Sequence, residues 1–227
     1  MKLLRWDVPG YEVAFSTRLG GVSGGRFSSL NLGRRSGDDV VNVDENRRRL
    51  CQAIGATPER LTVNYQTHSS IVRRAAAGER GELGDGLWTD EPDVPLLALT
   101  ADCLPIVLAR RDRPAVAVLH AGWRGLLAGV VEAGVHAVGG RVTAAVGPAI
   151  GPCCYEVDAD VAGRFDRDLR VGRNLDLWRA AERTLRRAGC ETVERVDLCT
   201  HCNPDLFFSY RRDGKPYGGQ GVLARVA

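Results

Sequence analysis

The sequence predicts an α+β fold, mixed α/β layers with helices packed on a mixed β-sheet, and three observations carry this. Apolar runs of strand length, at residues 96–99, 106–109 and 115–119, are separated by turn-forming residues. Other stretches repeat their apolar residues with helical spacing. Finally, residues 115–119, the helical pattern after them and the run at 141–147 make a strand–helix–strand step, which lays a helix on a sheet face. The 227 residues are 44% hydrophobic, enough to bury a full core, and no linker divides them. One domain over residues 1–227 is the expectation, with a sheet that is largely antiparallel or mixed.

In chain order, residues 12–17 read as a short strand that enters a glycine-rich loop, Arg18 to Gly25. The loop contains G-x-S-x-G at Gly21 to Gly25, but a nucleophile elbow needs a helix directly afterwards, and residues 26–33 have no helical period. Ser23 is therefore read as a loop residue. Val43, Leu50, Cys51 and Ile54 mark an amphipathic helix that Gly55 ends, with Arg47, Arg48 and Arg49 directed largely to water. Residues 61–65 form a strand that stops at His68. Residues 85–89 read as a turn carrying Trp88.

Of the next three strands, residues 96–99 hand over to Asp102–Cys103, residues 106–109 end in a charged turn, and residues 115–119 deliver His120. Leu126, Leu127, Val130, Val131, Gly134, Val135 and Val138 then make one helix, whose start beside His120 offers free N–H groups to an anion. His136 on that helix reads as a packing or surface residue. A later helix carries Trp178, Ala181, Leu185 and Ala188, with Asn174 as its N-cap and Gly189 after its end.

Composition excludes several classes of function. A balance of 31 basic to 28 acidic residues gives a net charge of +3, too little for a dedicated nucleic-acid binder, while small anions remain admissible. No apolar run approaches the roughly 20 residues of a membrane span, and no secretory leader is recognised, so a cytoplasmic protein is expected. Seven cysteines then point to reduced thiols or metal ligands. Cys51 and Cys190 fall in helical patterns and read as core residues. Cys199 and Cys202 have C-x-x-C spacing, but Cys153 and Cys154 are adjacent and supply no second such pair. A zinc ribbon is set aside in favour of ordinary thiols.

His68, Cys103 and His120 all stand where strands give way to loops, the places from which a rigid sheet aims functional groups. Two imidazoles and one thiolate suit zinc and could accept copper, and three protein donors leave one position open, as in catalytic zinc sites. A Cys103–histidine nucleophilic dyad without metal is the alternative. H-E-x-x-H, phosphate-loop and dinucleotide fingerprints are absent, as is the H-x-E with P-C-x-x-C pattern of nucleobase deaminases.

Taken together, several long motifs resemble those of the YfiH-like family, proteins labelled polyphenol oxidases or laccases and later described as purine nucleoside phosphorylases. They are STRLGGVSGGRFSSLNLG from Ser16, QTHSS from Gln66, DGLWT from Asp85, TADCLPIVL from Thr100, HAGWRG from His120, VGPAIGPCCYEV from Val146 and FFSYRRDG from Phe207. Two departures are visible: Gln66-Thr67-His68-Ser69 stands where the family commonly has QVHG, and Tyr217-Gly218-Gly219-Gln220 where it commonly has a T-G-R.

The resemblance implies the family's fold and zinc ligation by His68, Cys103 and His120. It also implies phosphorolysis of adenosine, inosine and S-methyl-5'-thioadenosine, with adenosine deamination as a second activity. The partners it implies are purine nucleosides and phosphate, with neither nucleic acid nor membrane, for a monomer or homodimer. Arg18 and Arg124 are then candidates for stabilising charge on phosphate or base, Asn31 for a hydrogen bond to ribose or base, and Asp102 for acid/base work or for orienting a histidine. A copper-dependent phenol oxidase and a non-enzymatic metal-binding module are the rival readings. Four histidines are few for a multicopper site.

Overall fold

The computed structural model describes residues 1–227. In chain order its main elements are β1 (Leu3–Arg5), β2 (Tyr11–Ser16), α1 (Val40–Ala53), β3 (Thr62–Tyr65), β4 (Val72–Arg74), β5 (Arg80–Leu83), β6 (Gly86–Thr89) and β7 (Leu96–Thr100). There follow β8 (Leu104–Arg110), β9 (Val116–Ala121), α2 (Trp123–Ala128), α3 (Val130–Val138), β10 (Val142–Val146) and α4 (Ala159–Ala162). The chain closes with β11 (Arg170–Val171), β12 (Asn174–Leu175), α5 (Leu177–Arg187), β13 (Thr192–Arg195), α6 (Tyr210–Asp213) and β14 (Gln220–Val226).

The α+β class holds, but the helices cover two large sheets rather than one. Six strands order as β1-β2-β14-β7-β3-β5 and six more as β13-β10-β8-β9-β6-β4, and each sheet mixes parallel and antiparallel pairs. Alternation along the strands shows why two sheets are needed. In β2, Val13 and Phe15 face the second sheet, packing with Val107, Val118 and Ala145, while Ala14 faces Leu50 and Cys51 of α1. In β8, Val107 and Ala109 point to the first sheet, while Ile106 and Leu108 point to α3 and α5. Strands apolar on both faces must be covered on both, and the result is helix, sheet, sheet, helix. Each large side chain fully buried in these layers contributes about 1.5–3 kcal/mol.

Local expectations differ from the structure at several places. Arg47 is buried, not solvated: its Nε donates to the Leu32 carbonyl, and burial pulls its guanidinium down to about 10. The helix expected over residues 126–138 is broken into α2 and α3 at Gly129, whose φ of 90° is left-handed. Residues 86–89 form strand β6, held between β4 and β9, rather than a turn. Asp176, not Asn174, caps α5 by accepting from the Arg179 amide, and Asn174 lies in β12. No helix is long and apolar enough to cross a membrane.

The crossings between the two sheets position the site. Strand β7 of the first sheet stops at Thr100, and Ala101–Cys103 bend the chain directly into β8 of the second. Likewise β3 belongs to the first sheet and β4 to the second, and the loop joining them carries His68. The Gln66 side chain ties that loop down, donating to the Leu99 carbonyl (2.7 Å) and accepting from the Leu99 amide (2.8 Å).

Candidate metal centre

Three chain segments bring their donors together. Pro105 pairs with His120 across β8 and β9, which puts Cys103, two residues before Pro105, beside the His120 end of β9. The loop after β3 supplies His68. The His68 Nε2 to Cys103 Sγ distance is 3.9 Å, and one ligand atom from each of His68, Cys103 and His120 lies within 4.8 Å of the others. The two imidazole rings meet edge to face with centroids 4.8 Å apart. Gly122 is required here by space rather than by φ: a Cβ on it would stand 2.8 Å from the Cys103 sulfur and 3.1 Å from the His68 ring.

One carboxylate orders this cluster, and it is Asp85, which the sequence reading placed in a turn. The Asp85 Oδ1 lies 2.8 Å from His120 Nδ1 and accepts from the His68 amide at 2.9 Å. Its Oδ2 accepts from the Ser69 amide (2.6 Å), the Ser69 hydroxyl (2.7 Å) and the Thr67 amide (3.1 Å). With Nδ1 engaged, His120 presents Nε2 to a metal, the arrangement common behind metal-bound histidines. The sequence held no periodicity or spacing signal for this role. The available cue was chemical, since a buried ligand histidine needs an acceptor for its second nitrogen.

The electrostatics follow from this packing. Burial would raise the Asp85 carboxyl, but hydrogen bonds from His120 and Ser69 hold it well below the usual carboxylate range. Burial also pushes the Cys103 thiol up, yet the neighbouring His120 and His68 more than offset this and bring it to about 6. His120 is depressed by burial and raised by Cys103 and Asp85, with the balance at about 9. A thiolate is thus favoured at Cys103 near neutral pH, and the thiolate is the metal-binding form.

Backbone strain is concentrated at the same place. His68 has φ 62° and Asp102 φ 91°, positive values that non-glycine residues avoid. The Asp102 carboxylate is held in place: Oδ1 accepts from the Thr200 hydroxyl and Oδ2 from the Arg211 amide, both at 2.6 Å, while its carbonyl accepts from the Ile150 amide. Asp102 therefore braces the turn that presents Cys103, and it is Asp85 that orients the histidine.

The remaining expected residues are placed unequally. Arg124 is exposed, 4.2 Å over the Trp123 ring at the start of α2. Arg18 instead spends its guanidinium on the Ser28, Pro204 and Arg26 carbonyls and stacks on Phe208. Asn31 is fully buried and uses both donor and acceptor groups internally, donating to Ser36 and Asp38 and accepting from the Gly33 and Gly219 amides. No hydrogen-bonding capacity is left on it for a ligand. Ser23 is buried between Asp38 and Asn46, and only a single 3-10 turn, Gly25–Phe27, follows it, not the α-helix of a nucleophile elbow. Where the family commonly has its late arginine, Gly219 and Gln220 make internal hydrogen bonds to Asn31 and Phe208.

Tyrosines complete the surroundings. Burial raises the phenols of both Tyr155 and Tyr217, and the Cys103 charge raises each further. Tyr155 lies under Arg211 at 5.3 Å, and Tyr217 meets Tyr210 edge to face at 5.0 Å. The donor set fits one metal ion: imidazole, imidazole and thiolate within reach of a common centre, a carboxylate behind one histidine and no fourth protein ligand in the group. It does not fit a multicopper centre, because the other two histidines, His136 on α3 and His201 before Cys202, lie outside it.

Known proteins similar to this chain fall in one family, under two descriptions. The family model described as multi-copper polyphenol oxidoreductase laccase matches residues 12–226. The purine nucleoside phosphorylase YfiH of Escherichia coli (strain K12) is 35% identical, with 92% of each chain covered. The purine nucleoside phosphorylase PA4543 of Pseudomonas aeruginosa is 38% identical, also with 92% of each covered. The crystal structure of YlmD from Geobacillus stearothermophilus superposes with a TM-score of 0.90 at 32% identity, covering 99% of this chain and 96% of that one. The chain belongs to this laccase-domain family of YfiH-type proteins.

Proposed function

We propose that this family member is a purine nucleoside phosphorylase that holds one zinc ion between His68, Cys103 and His120. Adenosine, inosine and S-methyl-5'-thioadenosine are its substrates, and adenosine deamination is a second activity. It acts on small molecules in the cytoplasm, as a monomer or homodimer. The observation that carries this reading is the three-donor centre with no fourth protein ligand, in a chain whose relatives are named purine nucleoside phosphorylases.

In phosphorolysis the glycosidic C–N bond breaks, a phosphate oxygen bonds to the ribose carbon, and the base leaves with a proton. A zinc ion in this centre supplies a Lewis acid for an oxygen or nitrogen of the bound reactants. The protein groups do the rest. Asp85 fixes the His120 ring and, through the Ser69 and Thr67 amides, the loop that carries His68. Arg124, exposed and stacked on Trp123 two residues after Gly122, supplies a cation suited to phosphate. Tyr155 and Tyr217 offer aromatic faces against which a purine can stack. Asp102, gripped by Thr200 and Arg211, keeps Cys103 aimed at the donors opposite.

Chromatography of adenosine incubated with the zinc-loaded protein tests the proposal. The expected products are adenine and ribose 1-phosphate when phosphate is present, and inosine without it. Absence of every product from adenosine, inosine and S-methyl-5'-thioadenosine would reject the assignment.

A further inference from the structure

The second concentration of metal-capable side chains lies in two loops that close the β10–β13 end of the second sheet. Cys153, Cys154, Cys199 and Cys202 place all four sulfurs within 4.8 Å of one another. The Cys154 and Cys202 sulfurs are 3.3 Å apart, and those of Cys153 and Cys202 are 3.6 Å apart. Sulfurs around a tetrahedral zinc, each about 2.3 Å from it, stand about 3.8 Å from one another, so a metal ion fits with small side-chain adjustments. Disulfide pairing would instead need sulfur pairs at about 2.05 Å.

The adjacency of Cys153 and Cys154 counted against such a site at the level of sequence, and the backbone removes the objection. Residues 152–154 make a tight turn in which the Cys154 and Tyr155 amides both donate to the Gly151 carbonyl at 3.0 Å. That turn lets neighbouring sulfurs approach Cys202 together. The Gly151 amide donates to the Cys199 sulfur at 3.2 Å, a hydrogen bond that favours the thiolate.

We propose that Cys153, Cys154, Cys199 and Cys202 form a second metal centre, a closed four-thiolate site for zinc that clamps the wall of the first. Binding forms four Zn–S bonds and releases to solvent the protons of whichever of the four sulfurs were thiols, with no change in oxidation state. Four protein ligands leave no position for a substrate, so its role is structural.

The clamp acts on the catalytic wall through short paths. Cys199 bridges Ala149, and the Thr200 amide donates to the Ala149 carbonyl at 3.1 Å. Thr200, between the two cysteines of the second loop, donates its hydroxyl to the Asp102 carboxylate, one residue before Cys103. Ile150, three residues before Cys153, donates its amide to the Asp102 carbonyl. Arg211 reaches the Glu156 carbonyl at 2.9 Å while its amide holds the other Asp102 oxygen. A metal joining the loops therefore stabilises the left-handed Asp102 conformation from behind.

Elemental analysis of the full chain, purified under reducing conditions with zinc supplied, tests the inference. Two zinc ions per chain are expected for the wild type, one for the C199S/C202S double variant and one for Cys103→Ser. Should the double variant fail to fold, the wild type and Cys103→Ser still decide the matter by alkylation mapped with mass spectrometry. In both, Cys153, Cys154, Cys199 and Cys202 should be protected until a chelator is added, then modified together. Two results overturn the proposal: equal alkylation of these four thiols with and without chelator, or a disulfide among them in freshly prepared, unreduced protein. Retention of the wild-type zinc count by a folded C199S/C202S variant also overturns it.

Discussion

The two sulfur-containing clusters differ in the features that separate a reactive centre from a structural one. At His68, Cys103 and His120 the donors are mixed, three in number, and set on positive-φ or close-packed backbone with a buried carboxylate behind them. At the four cysteines the donors are alike; Cys153 and Cys202 are exposed, Cys154 is half-buried and Cys199 is buried, and none has a positive φ. The first cluster spends stability on strain and on burying Asp85, a cost a protein retains where geometry serves chemistry. The second carries no such strain, and its four sulfurs would saturate a zinc ion. Thr200 links the two clusters by donating to Asp102, the contact through which the proposed four-cysteine site would support the three-donor centre.

The sharpest break in this contrast comes from Cys103→Ala. It should reduce both zinc retention at the first centre and phosphorolysis to background while the protein stays folded, as read by zinc content, product chromatography and circular dichroism. Unchanged turnover would remove the centre from the mechanism. Next in size, the C199S/C202S double variant should lower unfolding free energy by about 4 kcal/mol where free zinc exceeds Kd a thousandfold, measured by denaturant titration. Zinc at the first centre should persist in it.

Smaller effects should sharpen the comparison within the first centre. Asp85→Asn weakens the hold on His120 and should cost about 10–100-fold in zinc affinity, measured by competition with a chromophoric chelator. The same measurement on Asn31→Ala should give a zinc affinity close to wild type, because Asn31 braces Gly33 and Gly219 rather than a donor. Smallest, Arg124→Ala should raise the KM for phosphate about tenfold, corresponding to about 1.4 kcal/mol, and leave zinc content unchanged.

Much of this arrangement was legible in the chain because it lies at the ends of strands. Short apolar runs around residues 96–99, 106–109 and 115–119 mark strands, and His68, Cys103 and His120 follow from where such strands stop. The two-sheet architecture was not legible, because a run apolar on both faces is equally compatible with a helix or a second sheet above it. Arg47 was misplaced because its charge was read with that of Arg48 and Arg49, although it lies on the face of Val43 and Leu50, and the acceptor that stabilises it there, the Leu32 carbonyl, comes from a separate loop. Asp85 was hidden for the same reason: a carboxylate becomes a histidine anchor only when strands β6 and β9 are brought side by side. The cysteine cluster joins residues 45 or more positions apart in sequence through two loops, which no local spacing encodes.

Adenine release from adenosine by the zinc-loaded chain, followed as phosphate is titrated in and then as zinc is removed by chelation, tests the central claim most directly. Adenine and ribose 1-phosphate should appear in equal amounts, rise with phosphate, and vanish when the His68–Cys103–His120 centre is emptied. Adenine formed at the same rate without phosphate, or formed undiminished after zinc has been removed from that centre, would contradict it.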